Sequence, residues 1–257
     1  MMNYMKSEWY RITHSREIYV ITAILCGVTF LLNAVLALVA RADKNFPYAT
    51  VNFSLNMLIG SMPMLFVAGG VIVWRLFADE NEIGTLKNAI AYGIPRHHIF
   101  MAKCVVSIAV SLLSLVMVAA LYAGSACLLL EGPAEEPLKQ LFSGIGASLL
   151  CAFSAVILAV GLLQYCSKQS SAFGWWVIII IGVPAALAFA GMKYEIAARI
   201  SAWLPWNFLR LETVANMSGS RGMWTTPEGL MKCLIAGIAG IVIFTFAGIT
   251  MCKKQEV

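Results

Sequence analysis

Long unbroken apolar runs dominate the pattern of this chain. Charge-free stretches extend from Ile18 to Ala40, Phe46 to Trp74, Cys104 to Leu130, Gln140 to Ser167, Gln169 to Met192 and Cys233 to Cys252. Each reaches the roughly 20 residues with which a helix crosses about 30 Å of hydrocarbon. Backbone amides in lipid must find partners within the protein, so only helices or a closed barrel span a bilayer, and these runs lack the two-residue alternation of a barrel. They predict an all-α integral membrane protein, residues 1–257 in one domain, with six transmembrane helices at about 18–40, 54–77, 101–130, 141–166, 170–192 and 230–252. Pro63 and Pro184 are expected to kink or loosen the second and fifth of these. Small residues four apart, Ala23 with Gly27, Ala120 with Gly124, Ser143 with Ala147 and Ala236 with Gly240, fit close helix approach.

Three segments between or before the runs are patterned differently. Residues 2–16 place Met5, Trp9 and Ile12 on one helical face with Lys6, Glu8, Arg11 and Ser15 elsewhere, the pattern of an interfacial helix; a polar tail is the plainer alternative. In residues 80–98, Ile83, Leu86 and Ile90 recur at i, i+3 and i+7 of a short helix whose polar face carries Glu82, Lys87 and Asn88, and Gly93 and Pro95 end it. Such a helix either lies on the membrane or docks a partner, and periodicity does not choose between them. Residues 193–228 read as a helix, a break at Pro205, a second helix and a turn at Gly219 and Gly222. Ile196, Ile200 and Trp203 share a face, Glu195 and Arg199 are spaced to pair, and Phe208, Leu211 and Ala215 continue the apolar period. With Trp203, Trp206 and Trp224 expected at headgroup level, this segment is either a re-entrant hairpin dipping into one leaflet or a plain external loop.

Composition agrees with a membrane chain: 60% of residues are hydrophobic and 12% charged, against roughly 45–50% and 25% in soluble domains. The net charge of +5 is scattered at the ends of the runs rather than gathered in a patch, which argues against nucleic acid as a partner. Placing both termini in the cytoplasm puts Lys6, Arg11, Arg75, Lys87, Arg96, Lys103 and Lys168 inside, and leaves Arg41, Lys44 and Lys139 in the first two external loops. The first run is too long for a secretory h-region and is expected to be retained. Of the seven cysteines, none has metal-ligand spacing, and they read as small apolar fillers. The adjacent His97 and His98 point about 100° apart on a helix and make a poor metal pair.

No span carries an Asp, Glu, His, Lys or Arg in its middle; Arg75 and Lys103 lie at the ends. Proton-coupled pumps and transporters place such groups inside the bilayer, and intramembrane proteases need a nucleophile and base or metal ligands there. The chain also lacks a G-x-x-x-x-G-K-[ST] phosphate loop. Any uphill transport must draw on nucleotide hydrolysis in another polypeptide, received through residues 2–16 and 80–98.

Two stretches, Glu82-Ile83-Gly84-Thr85-Leu86-Lys87-Asn88 and Tyr92-Gly93-Ile94-Pro95-Arg96, form an E-x-G-T-L-K-N pattern followed by Y-G-I-x-R. With residues 2–16 and Ile200-Ser201-Ala202-Trp203-Leu204-Pro205, the chain resembles, over nearly its whole length, the ABC-2 type permeases, the membrane subunits of bacterial ATP-binding-cassette exporters. The resemblance implies six spans, an N-terminal interfacial helix, a cytoplasmic coupling helix and an external re-entrant hairpin. It implies that Glu82, Gly84, Thr85 and Leu86, with Lys87, Tyr92 and Arg96 of the same signature, contact an ABC ATPase. It implies further that the hairpin around Trp203, Pro205, Trp206 and Phe208 lines or gates the outer exit. No cofactor is expected on this chain, which is not itself an enzyme, since ATP and Mg²⁺ belong to the partner ATPase. The expected partners are two ATPase subunits, a second permease copy or homologue, and the lipid of a bacterial plasma membrane. An amphipathic peptide, antibiotic or lipid-like cargo suits the apolar spans. A non-transporting immunity or sensor subunit that binds a peptide is the rival reading, and a membrane enzyme the third.

Overall fold

The computed structural model describes residues 2–43, 46–83, 91, 93–166, 168–216 and 219–254. A short helix α1, Met2–His14, precedes α2, Arg16–Ala42. Next come α3, Val51–Gly60, and α4, Met64–Ile83, then α5, Arg96–Leu129, and α6, Glu135–Tyr165. α7, Gln169–Val177, runs through a π-helical turn, Ile178–Gly182, into α8, Val183–Gly191. Two short helices, α9 at Glu195–Ala202 and α10 at Pro205–Leu211, lead to a two-stranded antiparallel ribbon. In the ribbon, β1, Val214–Asn216, pairs with β2, Gly219–Arg221, with Val214 opposite Arg221. A 3₁₀ turn, Met223–Thr225, then enters α11, Pro227–Lys254.

Among the described residues, five helical stretches are long and apolar enough to cross a membrane: α2, α5, α6, the α7–α8 run and α11. The expected second span is not one straight helix. α3 and α4 meet at 68° across Ser61–Pro63, and the bundle has six spans only if this bent pair counts as one. Pro63 causes the break, because it has no N–H to offer the preceding turn and its ring crowds that turn. The chain compensates with tight turns, Met64 N–H to the Ser61 carbonyl at 2.8 Å and Leu65 N–H to that of Met62 at 3.1 Å. Pro184 acts more gently: the π-helical turn absorbs its missing donor, and the helix continues.

α6 is the axis of the bundle. Of its apolar 18-residue window 72% is buried, against 6% for α2. Its sequence explains this, since Gly144, Ala147, Ser148, Cys151, Ala152, Ser154, Ala155 and Ala159 leave room for neighbours on every side. α11 comes closest: a Cβ on Gly237 would stand 2.5 Å from that of Leu150, and one on Gly240 would stand 2.9 Å from that of Ser154. The Ala236/Gly240 pair thus marks a true contact, whereas Gly27 and Gly124 have nothing within 4 Å of their Cβ positions. From α7, buried Trp176 donates its indole N–H to the Ala155 carbonyl at 3.0 Å.

The sparsely buried α2 is held by polar contacts instead. Thr22 and Ser114 hydroxyls pair at 3.0 Å. Deeper in, fully buried Asn33 donates to the Ser125 hydroxyl at 2.8 Å and the Tyr122 carbonyl at 3.1 Å. It accepts from the Ser54 hydroxyl at 2.6 Å, and the Tyr122 hydroxyl donates to the Ser54 carbonyl at 2.8 Å. One amide therefore joins α2, α3 and α5. Replacing Asn33 with Ala should cost about 1–2 kcal/mol of stability, and a double-mutant cycle with Ser125→Ala should return a coupling of about 0.6–1.7 kcal/mol, both read from SDS-driven unfolding in mixed micelles.

Candidate functional site

The two ends of the bundle differ. One, the near end, carries α1, the last turn of α4, the first turns of α2 and α5, and the end of α11; the other, the far end, carries α9, α10 and the ribbon. At the near end α1 does not float free. Ile12 is buried and Met5 packs on the core, while Trp9 remains 39% exposed. Glu8 occupies the same face, three residues from partly buried Met5 and four from buried Ile12, and is itself buried. That carboxylate is acceptable there because the Arg11 guanidinium meets it at 2.7 Å.

Arg11 also reaches the Leu76 carbonyl at 3.5 Å and lies 5.5 Å from the Phe77 ring centroid. From α5, the buried Lys103 ammonium stands 4.7 Å from that centroid. Two cations thus share one buried ring, an arrangement that the ring quadrupole favours by roughly 0.5–2 kcal/mol for each. From α2, Glu17 lies 4.0 Å from Arg75, an exposed pair that adds little. Helices α1, α2 and α5 therefore all close on the end of α4, and that is where residues 80–98 begin. In the sequence Phe77 does not stand out and Lys103 is only a charge at the end of a span, because nothing local links a ring ending one helix to an amine on another.

Of the signature residues, Glu82 lies in the last turn of α4. Gly84, Thr85, Leu86, Lys87 and Tyr92 fall outside the described residues. Arg96 opens α5 after Pro95 as N-cap, and Gly93 adopts φ +79°, the left-handed turn that lets the chain reverse there. The His97 and His98 rings touch, with centroids 4.4 Å apart. Among the described residues no group of three His, Cys, Asp or Glu is placed to hold a metal.

At the far end, α9 packs on α8 and the anticipated Glu195–Arg199 pair forms at 2.6 Å on an exposed face. Of the three tryptophans expected at headgroup level, Trp203 is exposed, whereas Trp206 and Trp224 are buried against the bundle. Pro205 starts α10, Phe208 is buried, and Asn207 binds the hairpin down by donating to the Ser201 hydroxyl at 2.7 Å and the Pro184 carbonyl at 2.8 Å. Lys232 of α11 meets Glu212 at 2.5 Å and lies 5.2 Å from the Phe208 ring. The ribbon, which the sequence reading took for a turn alone, is tied to α6 by the Ser220 hydroxyl donating to Gln140 at 2.6 Å.

Residues 4–186 match the family described as ABC-2 family transporter protein. The chain belongs to that family. The match starts in α1 and ends in α8, so it takes in the whole near-end clasp and stops short of the hairpin. Among curated proteins, none matches this sequence. For this ABC-2 chain, Phe77→Leu keeps apolar bulk and removes the ring, so amide hydrogen exchange across residues 2–14 should quicken roughly 3- to 30-fold while α5 and α6 stay protected. Unchanged exchange in α1 would mean that the ring does not hold it.

Proposed function

We propose that this ABC-2 protein is the permease subunit of an ATP-driven exporter, with both termini cytoplasmic, paired with a second permease copy or homologue and served by two ATPase subunits. The observation that carries this reading is the grip of α1, α2 and α5 on the end of α4, from which the E-x-G-T-L-K-N segment emerges. A push on residues 80–98 would reach three spans at once through that grip. The break at Ser61–Pro63 lets α4 tilt without dragging α3, which the Asn33 and Tyr122 contacts hold to α2 and α5. The lack of Asp, Glu, His, Lys and Arg in mid-span leaves no charged group there to carry a coupling ion and fits an energy source outside the bilayer.

In this reading Glu82, Gly84, Thr85, Leu86, Lys87, Tyr92 and Arg96 face the ATPase. Trp203, Pro205, Trp206 and Phe208 belong to the hairpin at the outer exit, and the cargo is an amphipathic peptide, antibiotic or lipid-like molecule that passes between the paired bundles. Glu82→Lys combined with Leu86→Asp should abolish co-purification with the ATPase encoded beside this chain, and should remove substrate-stimulated ATP hydrolysis in proteoliposomes. Intact ATPase binding by that double variant would refute the docking role. Labelling of a cysteine placed at residue 87 from outside intact cells would refute the orientation.

A further inference from the structure

Beside the break in the second span lies a cavity of about 210 Å³. Its walls come from four directions: Leu25 of α2, Met62 and Met64 at the break, Leu112 of α5, and Leu149 and Phe153 of α6. Its depth follows from the helix ends. Thr29, another wall residue, is the central residue of Arg16–Ala42, Leu112 is central in Arg96–Leu129, and Leu149 adjoins the centre of Glu135–Tyr165. A cavity at the middle of three spans lies near the bilayer midplane, where the surroundings are the distal ends of acyl chains. It is partly open, and Met64 and Leu112, 55% and 38% exposed, stand at the hydrocarbon-facing surface.

Water is a poor occupant. A buried water needs two to four polar partners. Of the hydroxyls in the wall, Thr29 donates to the Cys26 carbonyl at 2.9 Å, Ser61 to that of Leu58 at 2.9 Å, and Ser114 pairs with Thr22 at 3.0 Å. Ser111 is the wall residue whose hydroxyl is buried without a partner among the described residues, so a water would meet one free donor there and otherwise only the spare lone pairs of hydroxyls that already donate. Apolar cavities of about 150 Å³ stay dry and accept apolar guests, and an empty one forfeits the dispersion contacts of its whole lining.

We infer that this cavity is a binding site for the distal end of a membrane phospholipid's acyl chain, which enters from the hydrocarbon between Met64 and Leu112 and lies against the break of the second span. The assignment stands apart from the proposed export function, since it needs neither ATPase nor cargo. The full chain, reconstituted in phosphatidylcholine vesicles, tests it with two photoactivatable phosphatidylcholines, one bearing a diazirine near the methyl end of an acyl chain and the other near its carboxyl end. The methyl-end probe should label residues 61–69, 111–119 and 145–156 about tenfold more than Val242 and Ile243, which are 62% and 61% exposed near the centre of α11. The carboxyl-end probe should show no such preference. Filling the cavity with Ala68→Phe, or with Ala119→Leu should the first variant not fold, should bring wall labelling down to the Val242 level and leave that level unchanged. Equal labelling of walls and controls by the methyl-end probe in the wild-type protein overturns the assignment, as do wall adducts that survive cavity filling. Wall adducts that join two copies of the chain also overturn it, because a second subunit would then cover the mouth.

Discussion

Close backbone approach around α6 is the constraint from which the rest of the bundle follows. In lipid, helices gain nothing from leaving water, so their association rests on packing contacts and a few interhelical hydrogen bonds. Small side chains along α6 let α11 approach until Gly237 and Gly240 admit no larger residue, and let Trp176 reach the Ala155 carbonyl. α2 has bulky residues on its exposed side, such as Leu31, Leu32 and Leu38, and little buried surface of its own. It is fastened by Thr22 and Asn33, two polar groups that hydrocarbon would otherwise leave without partners. The bundle is thus built by two different means, dense packing at its axis and hydrogen bonds at its edge.

The bent second span divides its loyalties accordingly. α3 belongs with α2 and α5 through Ser54, Asn33 and Tyr122. The lower part of α4 belongs with α1 and α5 through Leu76 and Phe77. Between them Ser61–Pro63 interrupts the helix, so neither half fixes the angle of the other. A straight helix would transmit any displacement along its whole length, because each turn is bonded to the next. Here the break confines it to the half that meets residues 80–98.

Much of this was legible in the sequence, and the remainder failed for identifiable reasons. The length and apolarity of the runs announced the spanning helices because the bilayer imposes both. Pro63 announced trouble in the second span, although a missing donor alone does not tell a kink from a 68° break. The periodicity of residues 2–16 put Ile12 on the apolar face but sent Glu8 elsewhere; Glu8 is buried with Arg11 beside it because α1 packs on the bundle, a tertiary circumstance. Small-residue spacing gave the α11 contact correctly and misled at Gly27 and Gly124, since spacing records an opportunity and not the presence of a neighbour. The ribbon at Val214–Asn216 and Gly219–Arg221 escaped notice because strands of three residues are too short to display alternation.

The distribution of charge bears on how such a bundle moves. Among the described residues, the contacts between opposite charges, Glu8 with Arg11, Glu17 with Arg75, Glu195 with Arg199 and Glu212 with Lys232 among them, lie at one end or the other. The middle of the membrane is crossed by hydroxyl and amide bonds, each worth on average about 0.6 kcal/mol in comparable bundles, and by packing of small residues. Separating a desolvated ion pair in mid-span would cost several kcal/mol, whereas shifting one hydroxyl contact costs little and the group finds another carbonyl nearby. Firm ends and a compliant middle let a push at the near end become a tilt of whole helices rather than a local rupture. The cavity beside the break has the same consequence, because α4 can lean into a space that holds fluid hydrocarbon at far lower cost than into a close-packed wall.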